Sequence, residues 1–328
     1  MLNYRRYIVF WIIVAMCQLV ADAHENKKIN VLPERNYKIQ SSQPTQINQT
    51  IQHSTTTDFD QSQRPYPYKF AILGCRPDGM FSAFDDVFDL IKRYELGQYK
   101  GIEVDFEEWG LYYEPSHGKN WWSYYFKPIC FGKKNNIKNI KYPTFPKYII
   151  FSQTENITRR EIFNSVQKYF KIKSHVQKKI DALAKELFKD FFVISVHYRG
   201  TDKTIEAPAV PYEKVSEEIL RVMKNHGHKK YRIFVATDEQ DFLNYIISVF
   251  GDIVCYNKDA LRSTNGKPVH TNKKLNRYKA GEDAVIDCIL LSKGDILIRT
   301  SSNLSRWSTY FNPRIPVIKL NTQFVYEK

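Results

Sequence analysis

The chain has no CxxC pair. Its five cysteines are Cys17, Cys75, Cys130, Cys255 and Cys288, and none stands close enough to another for a redox or structural-metal motif. With Cys17 inside the N-terminal apolar run, four are left, which allows one or two disulfides or buried free thiols. No helix-turn-helix, RRM or zinc-finger spacing occurs. The excess of 49 Lys and Arg over 35 Asp and Glu, a formal net charge of +14, is therefore not a nucleic-acid signature. The basic residues are scattered among acids, as on a solvated surface or around a phosphate-bearing ligand. A membrane span needs about 20 consecutive apolar residues. The run from Tyr7 to Ala21 falls short of that and contains Gln18.

What is present is 43% hydrophobic, 26% charged and 15% aromatic residues over 328 positions, enough for two globular domains. Aromatics at this level suit a large core or stacking on sugars and bases. At the N-terminus Arg5 and Arg6 precede the apolar run, and Ala21-Asp22-Ala23 has the small-x-small form of a cleavage site. Residues 1–23 are read as a signal peptide or signal anchor, which directs the remainder to the secretory-pathway lumen, in the Golgi. Residues 24–66 are polar and aperiodic, the composition of a flexible stem. Asn48 lies there in a glycosylation sequon, and Asn156 in another, Asn156-Ile157-Thr158. Asn303-Leu304-Ser305 is a third by form, expected to stay unmodified because of its place beside a ligand pocket.

Residues 67–190 are predicted to form an N-terminal α/β acceptor-side domain with linking helices. Lys69 to Leu73 reads as a strand, Ser82 to Tyr94 as a helix with Phe84, Val87, Phe88 and Ile91 on one face, and Gly101 to Phe106 as a strand. Thr158-Arg159-Arg160-Glu161 is a capping box opening helices that run to Asp190 with a break near Lys173 and Ser174. Between these lie aromatic clusters without regular period. Trp109, Trp121, Trp122 and Tyr124 are assigned there to an acceptor platform, with core packing the competing reading.

Residues 191–328 alternate strand and helix. Strands are predicted at Phe191–Val196, Tyr231–Ala236, Ile253–Tyr256, Asp295–Arg299 and Ile315–Leu320, with helices at Glu239–Phe250, Glu282–Ser292 and Leu304–Phe311. This is the pattern of a doubly wound parallel sheet, whose ligands bind beyond the carboxyl ends of the strands. Those ends carry His197-Tyr198-Arg199-Gly200-Thr201-Asp202-Lys203, then Thr237-Asp238, then Thr300-Ser301-Ser302-Asn303 opening a helix. An arginine fork, a lysine and a helix N-terminus are the groups that a departing diphosphate requires.

The segment His197–Lys203 is similar to the His-x-Arg-Arg-Thr-Asp-Lys donor motif of the core α-1,6-fucosyltransferases and NodZ-type nodulation fucosyltransferases. Tyr231–Glu239 and Ala284–Asn303 resemble the second and third blocks of that family, in order and spacing. The resemblance implies a GT-B-like fold of two Rossmann-like domains, binding GDP-fucose in the C-terminal half. It implies transfer of fucose, with inversion and without a metal or other cofactor, to a hydroxyl of an oligosaccharide, α-1,6 to GlcNAc. Arg199 would clamp the β-phosphate and Lys203 assist its departure, with Asp202 in the same catalytic loop. Glu206 falls near the base of the family. Asp287 would bind guanine, with His197, Asp238, Ser301, Ser302 and Asn303 in the donor pocket. Gly200 replaces the second arginine of the family. Two alternatives stay open: a transferase for another nucleotide sugar, and a catalytically silent secreted binding protein. Nucleic acid is not an expected partner, and membrane contact is expected only through the N-terminal segment.

Overall fold

The computed structural model describes residues 70–74, 79–107, 110–132, 139–142, 157–200, 207–263 and 276–322. The signal or anchor segment, the stem, and the sequon asparagines Asn48 and Asn156 lie outside them. Among the described residues no helix is long and apolar enough to cross a membrane.

Two sheets organise the described residues. The first has the order β3-β2-β1-β4, from β1 (Phe70–Leu73), β2 (Gly101–Val104), β3 (Cys130–Phe131) and β4 (Asn139–Tyr142). Strand β1 runs parallel to β2 and β4, while β3 is antiparallel to β2. Helix α1 (Met80–Glu95) follows β1 and buries Phe84, Val87, Phe88 and Ile91, the face its periodicity predicts. Helix α2 (Trp122–Tyr125) is one aromatic turn. Then come α3 (Arg159–Tyr169) and α4 (Ser174–Phe188). Thr158 caps α3 as a capping box: its side chain accepts from Glu161 N–H, and its own N–H donates to the Glu161 carboxylate at 2.7 Å.

The second sheet contains β5 (Phe192–Tyr198), β6 (Tyr231–Thr237), β7 (Val254–Cys255), β8 (Ile296–Arg299) and β9 (Val317–Lys319), in the order β7-β6-β5-β8-β9. All its pairings are parallel, as the strand-helix alternation requires. Its helices are α5 (Tyr212–His226), α6 (Gln240–Phe250), α7 (Arg277–Ser292) and α8 (Asn303–Phe311). Helix α5 was not anticipated, although Val215, Ile219 and Val222 give it a buried stripe at helical spacing. Helix α7 begins five residues before its predicted start because Asn276 caps it, its side chain accepting from Lys279 N–H at 2.9 Å.

The aromatic stretch expected to carry an acceptor platform is core. Trp121, Trp122 and Tyr124 are 1%, 0% and 4% exposed, so no sugar face reaches them; Trp109 lies outside the described residues. Phe84 sits at the centre of this cluster, with ring centroids 5.2–5.4 Å from Trp122, Phe126, Phe170 and Trp307. Trp307 belongs to α8, so the aromatic core couples the first sheet's helices to the second sheet's. Asp85 reinforces the joint by accepting from Trp307 Nε1 at 2.8 Å and Arg306 Nη2 at 2.6 Å. Helix α7 comes close to α2 at Gly281, where a Cβ would strike the Tyr125 hydroxyl. That hydroxyl donates instead to Tyr278 O at 2.8 Å.

Replacing Phe84 with Ala removes the ring shared by five aromatic contacts, the fifth with Phe81 at 4.8 Å. It is expected to cost about 3–5 kcal/mol, read as a fall in urea midpoint at unchanged slope.

Candidate functional site

Strand order in the second sheet reverses between β5 and β8. Their carboxyl ends diverge there into a crevice, where open α/β sheets bind ligands. Two hydrogen bonds lace the two ends together, Thr300 N–H to His197 O at 3.1 Å and Arg199 N–H to Thr300 Oγ1 at 3.0 Å, and Ser305 Oγ of α8 donates to Thr300 O at 3.4 Å. The turn after β5 and the start of α8 are thereby fixed to one another.

The cleft at this edge is lined by His197 of β5 and Arg199 just after it, Thr237 of β6 and Asp238 just after it, Asp283 and Asp287 from α7, and Leu304 from α8; Tyr112 joins them from the first half. Arg199 Nε lies 3.2 Å from Asp238 Oδ2, a pair that holds the guanidinium at the cleft wall. His197 is buried with Nδ1 unpartnered. Burial, followed by the Arg199 and Arg299 charges, pushes its pKa down to about 3, so the imidazole is neutral at physiological pH.

Helix α7 supplies the acid wall. Asp283 and Asp287 are four residues apart and face the same cleft. Asp283 is held by Lys279 and by Asn257 Nδ2 at 3.3 Å. Asp287 is buried, and its Oδ1 accepts no hydrogen bond. Burial raises its pKa to about 7; Arg262 opposes the rise and Asp283 adds to it. Arg262 is anchored by donating to Ala260 O and Asn257 O at 3.0 Å each, and its guanidinium lies 4.9 Å from the Tyr256 ring centroid. This oxygen at the cleft wall keeps an unused capacity to accept a hydrogen bond.

His197, Arg199, Asp238 and Asp287 thus converge. Ser301, Ser302 and Asn303 do not join them as expected. Ser301 is turned to the loop after β9, its N–H donating to Asn321 Oδ1 at 2.7 Å. Ser302 is the N-cap of α8 with no side-chain cap bond, and the Asn303 side chain accepts from Arg306 Nη2 at 3.2 Å. The first turn of α8 meets the cleft through Leu304. Asp202, Lys203 and Glu206 lie outside the described residues. At Gly200 a Cβ would run into the Glu239 carboxylate, which accepts from Tyr212 OH at 2.9 Å; any side chain at 200 requires Glu239 to move. Tyr112, Asp283 and Arg262 were not anticipated. The Asp283–Asp287 spacing on one helix would have revealed the first acid. Among the described residues no group of three or more His, Cys, Asp or Glu side chains is arranged to hold a metal ion.

The family model for nodulation protein Z (NodZ) matches residues 149–325, more than half the chain and the whole of this sheet. The chain belongs to the NodZ family. Nodulation protein Z of Bradyrhizobium diazoefficiens is 30% identical over 173 residues, covering 49% of this chain and 45% of that protein. The Sinorhizobium fredii protein is 29% identical over 172 residues, covering 49% and 51%. The chain thus matches about half the length of these curated relatives. Among solved structures, a NodZ α-1,6-fucosyltransferase co-crystallised with GDP has 18% identity and a TM-score of 0.49, covering 77% of this chain and 97% of that one. POFUT1 in complex with GDP has 12% identity and a TM-score of 0.45, covering 77% and 98%. The NodZ relatives also correct the expected location. They are bacterial proteins, and bacteria have neither a Golgi nor a secretory-pathway lumen.

The Asp287 carboxyl binds its proton more tightly when folded than in an unfolded chain, where its value is 3.8. Its contribution to stability is therefore full below about pH 4 and lost as pH rises through 7. Asp287→Asn removes this loss. Its stability, followed by melting temperature, should exceed that of the natural chain by an amount that grows between pH 5 and pH 7 and then levels off, reaching roughly a few kcal/mol. Equal pH dependence of the two proteins would contradict the burial of this charge.

Proposed function

We propose that the chain is a fucosyltransferase, transferring fucose from GDP-fucose to a hydroxyl of an oligosaccharide acceptor, α-1,6 to GlcNAc, with inversion and without a metal. One observation carries the reading. A guanidinium, Arg199, and a buried carboxylate whose Oδ1 accepts no hydrogen bond, Asp287, line one cleft at the switch point of a parallel sheet. The first has the charge and fork geometry for a diphosphate. The second accepts the paired N–H donors that guanine presents on one edge. Neither group alone selects GDP; their convergence does. Membership of the NodZ family supports the same donor.

In this reaction the acceptor oxygen bonds to the sugar C1 as the C1–O bond to the β-phosphate breaks. The acceptor's proton passes to a carboxylate, and GDP departs with both electrons of the broken bond. Arg199 neutralises the charge that develops on the leaving oxygen, and Asp238 holds its guanidinium in place. Neutral His197, packed behind Arg199, adds no competing positive charge and offers a donor or acceptor nitrogen to the ligand. By resemblance, Lys203 shares the stabilisation of the phosphate and Glu206 takes the proton, with Asp202 in the same loop. Asp287 must ionise to accept from guanine, so donor binding releases a proton below about pH 7.

Arg199→Ala should lower the rate of transfer from GDP-fucose by about two orders of magnitude or more, with far-UV circular dichroism and melting temperature little changed. Purified chain that binds GDP and turns over no GDP-sugar would leave a silent binding protein. Turnover of a different GDP-sugar would redirect the donor assignment while keeping the roles of Arg199 and Asp287.

A further inference from the structure

The parallel register sets His197 of β5 beside Arg299 of β8, and Arg299 beside Lys319 of β9. Paired residues point to the same face, so three nitrogenous side chains form a row along the carboxyl edge. His197 lines the cleft, Arg299 lies behind it, and Lys319 is at the exposed edge. Arg299 Nη1 donates to Ser302 O at 3.2 Å and to Ser305 Oγ at 3.1 Å, which places the guanidinium beneath the first turn of α8. Its Nε is buried and has no partner.

This is an unfavourable place for a cation. The N-terminal end of a helix carries the positive pole of its dipole. Burial, then Arg306, lowers the Arg299 pKa to about 10, with Arg159 adding to the fall; burial, Arg299 and Arg306 depress Lys319 in the same way. Asp85 answers Arg306, not Arg299. Neutral side chains can supply hydrogen bonds to a carbonyl and a hydroxyl. The strand register puts the charge directly beside His197, which lines the cleft.

We propose that Arg299 is a positioning residue for an anionic ligand of the pyrophosphate class. It pins the first turn of α8 to the sheet edge and, one strand behind neutral His197, adds positive charge that complements Arg199. The inference rests on the nucleoside-diphosphate reading of the cleft and extends the anion site from β5 to β8.

The test measures binding of GDP and of inorganic pyrophosphate to the full chain by titration calorimetry at pH 6.5, with melting temperatures of the unliganded proteins. Arg299→Met should weaken both ligands about tenfold, the size of one charge acting over several ångströms of protein, while its melting temperature stays level or rises. Arg299→Lys, which keeps the charge and loses the fork, should recover most of the affinity. Three results would overturn the proposal: unchanged affinity in Arg299→Met, Arg299→Lys as weak as Arg299→Met, or a fall in the Arg299→Met melting temperature beyond ~5 °C, each of which leaves Arg299 a structural tether or a bystander. If the natural chain binds no GDP, the diphosphate reading itself falls and takes this inference with it.

Discussion

At the carboxyl edge of the second sheet, the Arg199 backbone N–H donates to the Thr300 hydroxyl. This bond ties together two turns a hundred residues apart in sequence, and the chemistry of the cleft depends on it. It exists because β5 and β8 are parallel neighbours at the point where strand order reverses, so both chains leave the sheet at one edge and in opposite directions. Arg199 is then paired with Asp238 at the end of the other neighbouring strand, and Thr300 leads straight into α8. An antiparallel or reordered sheet would scatter the same residues.

The placement of α7 is the second constraint. Its two carboxylates reach the cleft only because the helix lies tight against the aromatic core, with Gly281 at the Tyr125 hydroxyl and Tyr278 stacked on His117 at 3.8 Å. The cluster around Phe84 and Trp307 therefore does more than stabilise. It fixes the acid wall of the cleft relative to its basic wall, and it explains why a chain with so many aromatics spends the largest of them inside. Asp287 on the acid wall and Arg299, one strand behind the basic wall, each keep one buried atom without a hydrogen bond, Oδ1 and Nε. Such unpaired buried groups are commonly retained at the expense of stability where a ligand completes them.

Much of this was legible in the sequence, for identifiable reasons. The five parallel strands are short apolar runs bounded by turn residues, and the capping box at Thr158 and Glu161 is a local signal that tertiary contacts do not override. His197, Arg199 and Asp238 stand at strand ends, which can be located without knowing which strands are neighbours, and the family resemblance pointed to Asp287 on α7; all four line one cleft. What failed depended on tertiary packing. Side-chain burial decides whether Trp121, Trp122 and Tyr124 form a platform or a core, and no periodicity reports it across a four-residue helix. Ser301 and Asn303 were chosen as helix-start residues, but their hydrogen bonds go to Asn321 and Arg306, partners that only the closed fold supplies. Tyr112 reaches the cleft from the other sheet's half, and no local signal marks it. The leader-like N-terminus gave a location that the bacterial relatives contradict.

The central claim is that Arg199 and a readily protonated Asp287 read one guanosine diphosphate together. The most direct measurement is the affinity of the full chain for GDP, ADP and UDP as a function of pH. The account predicts that GDP binds selectively, with affinity rising from pH 5 to a plateau just above pH 7 as Asp287 ionises. Equal affinity for the three nucleotides, or GDP binding that does not change across that range, would contradict it.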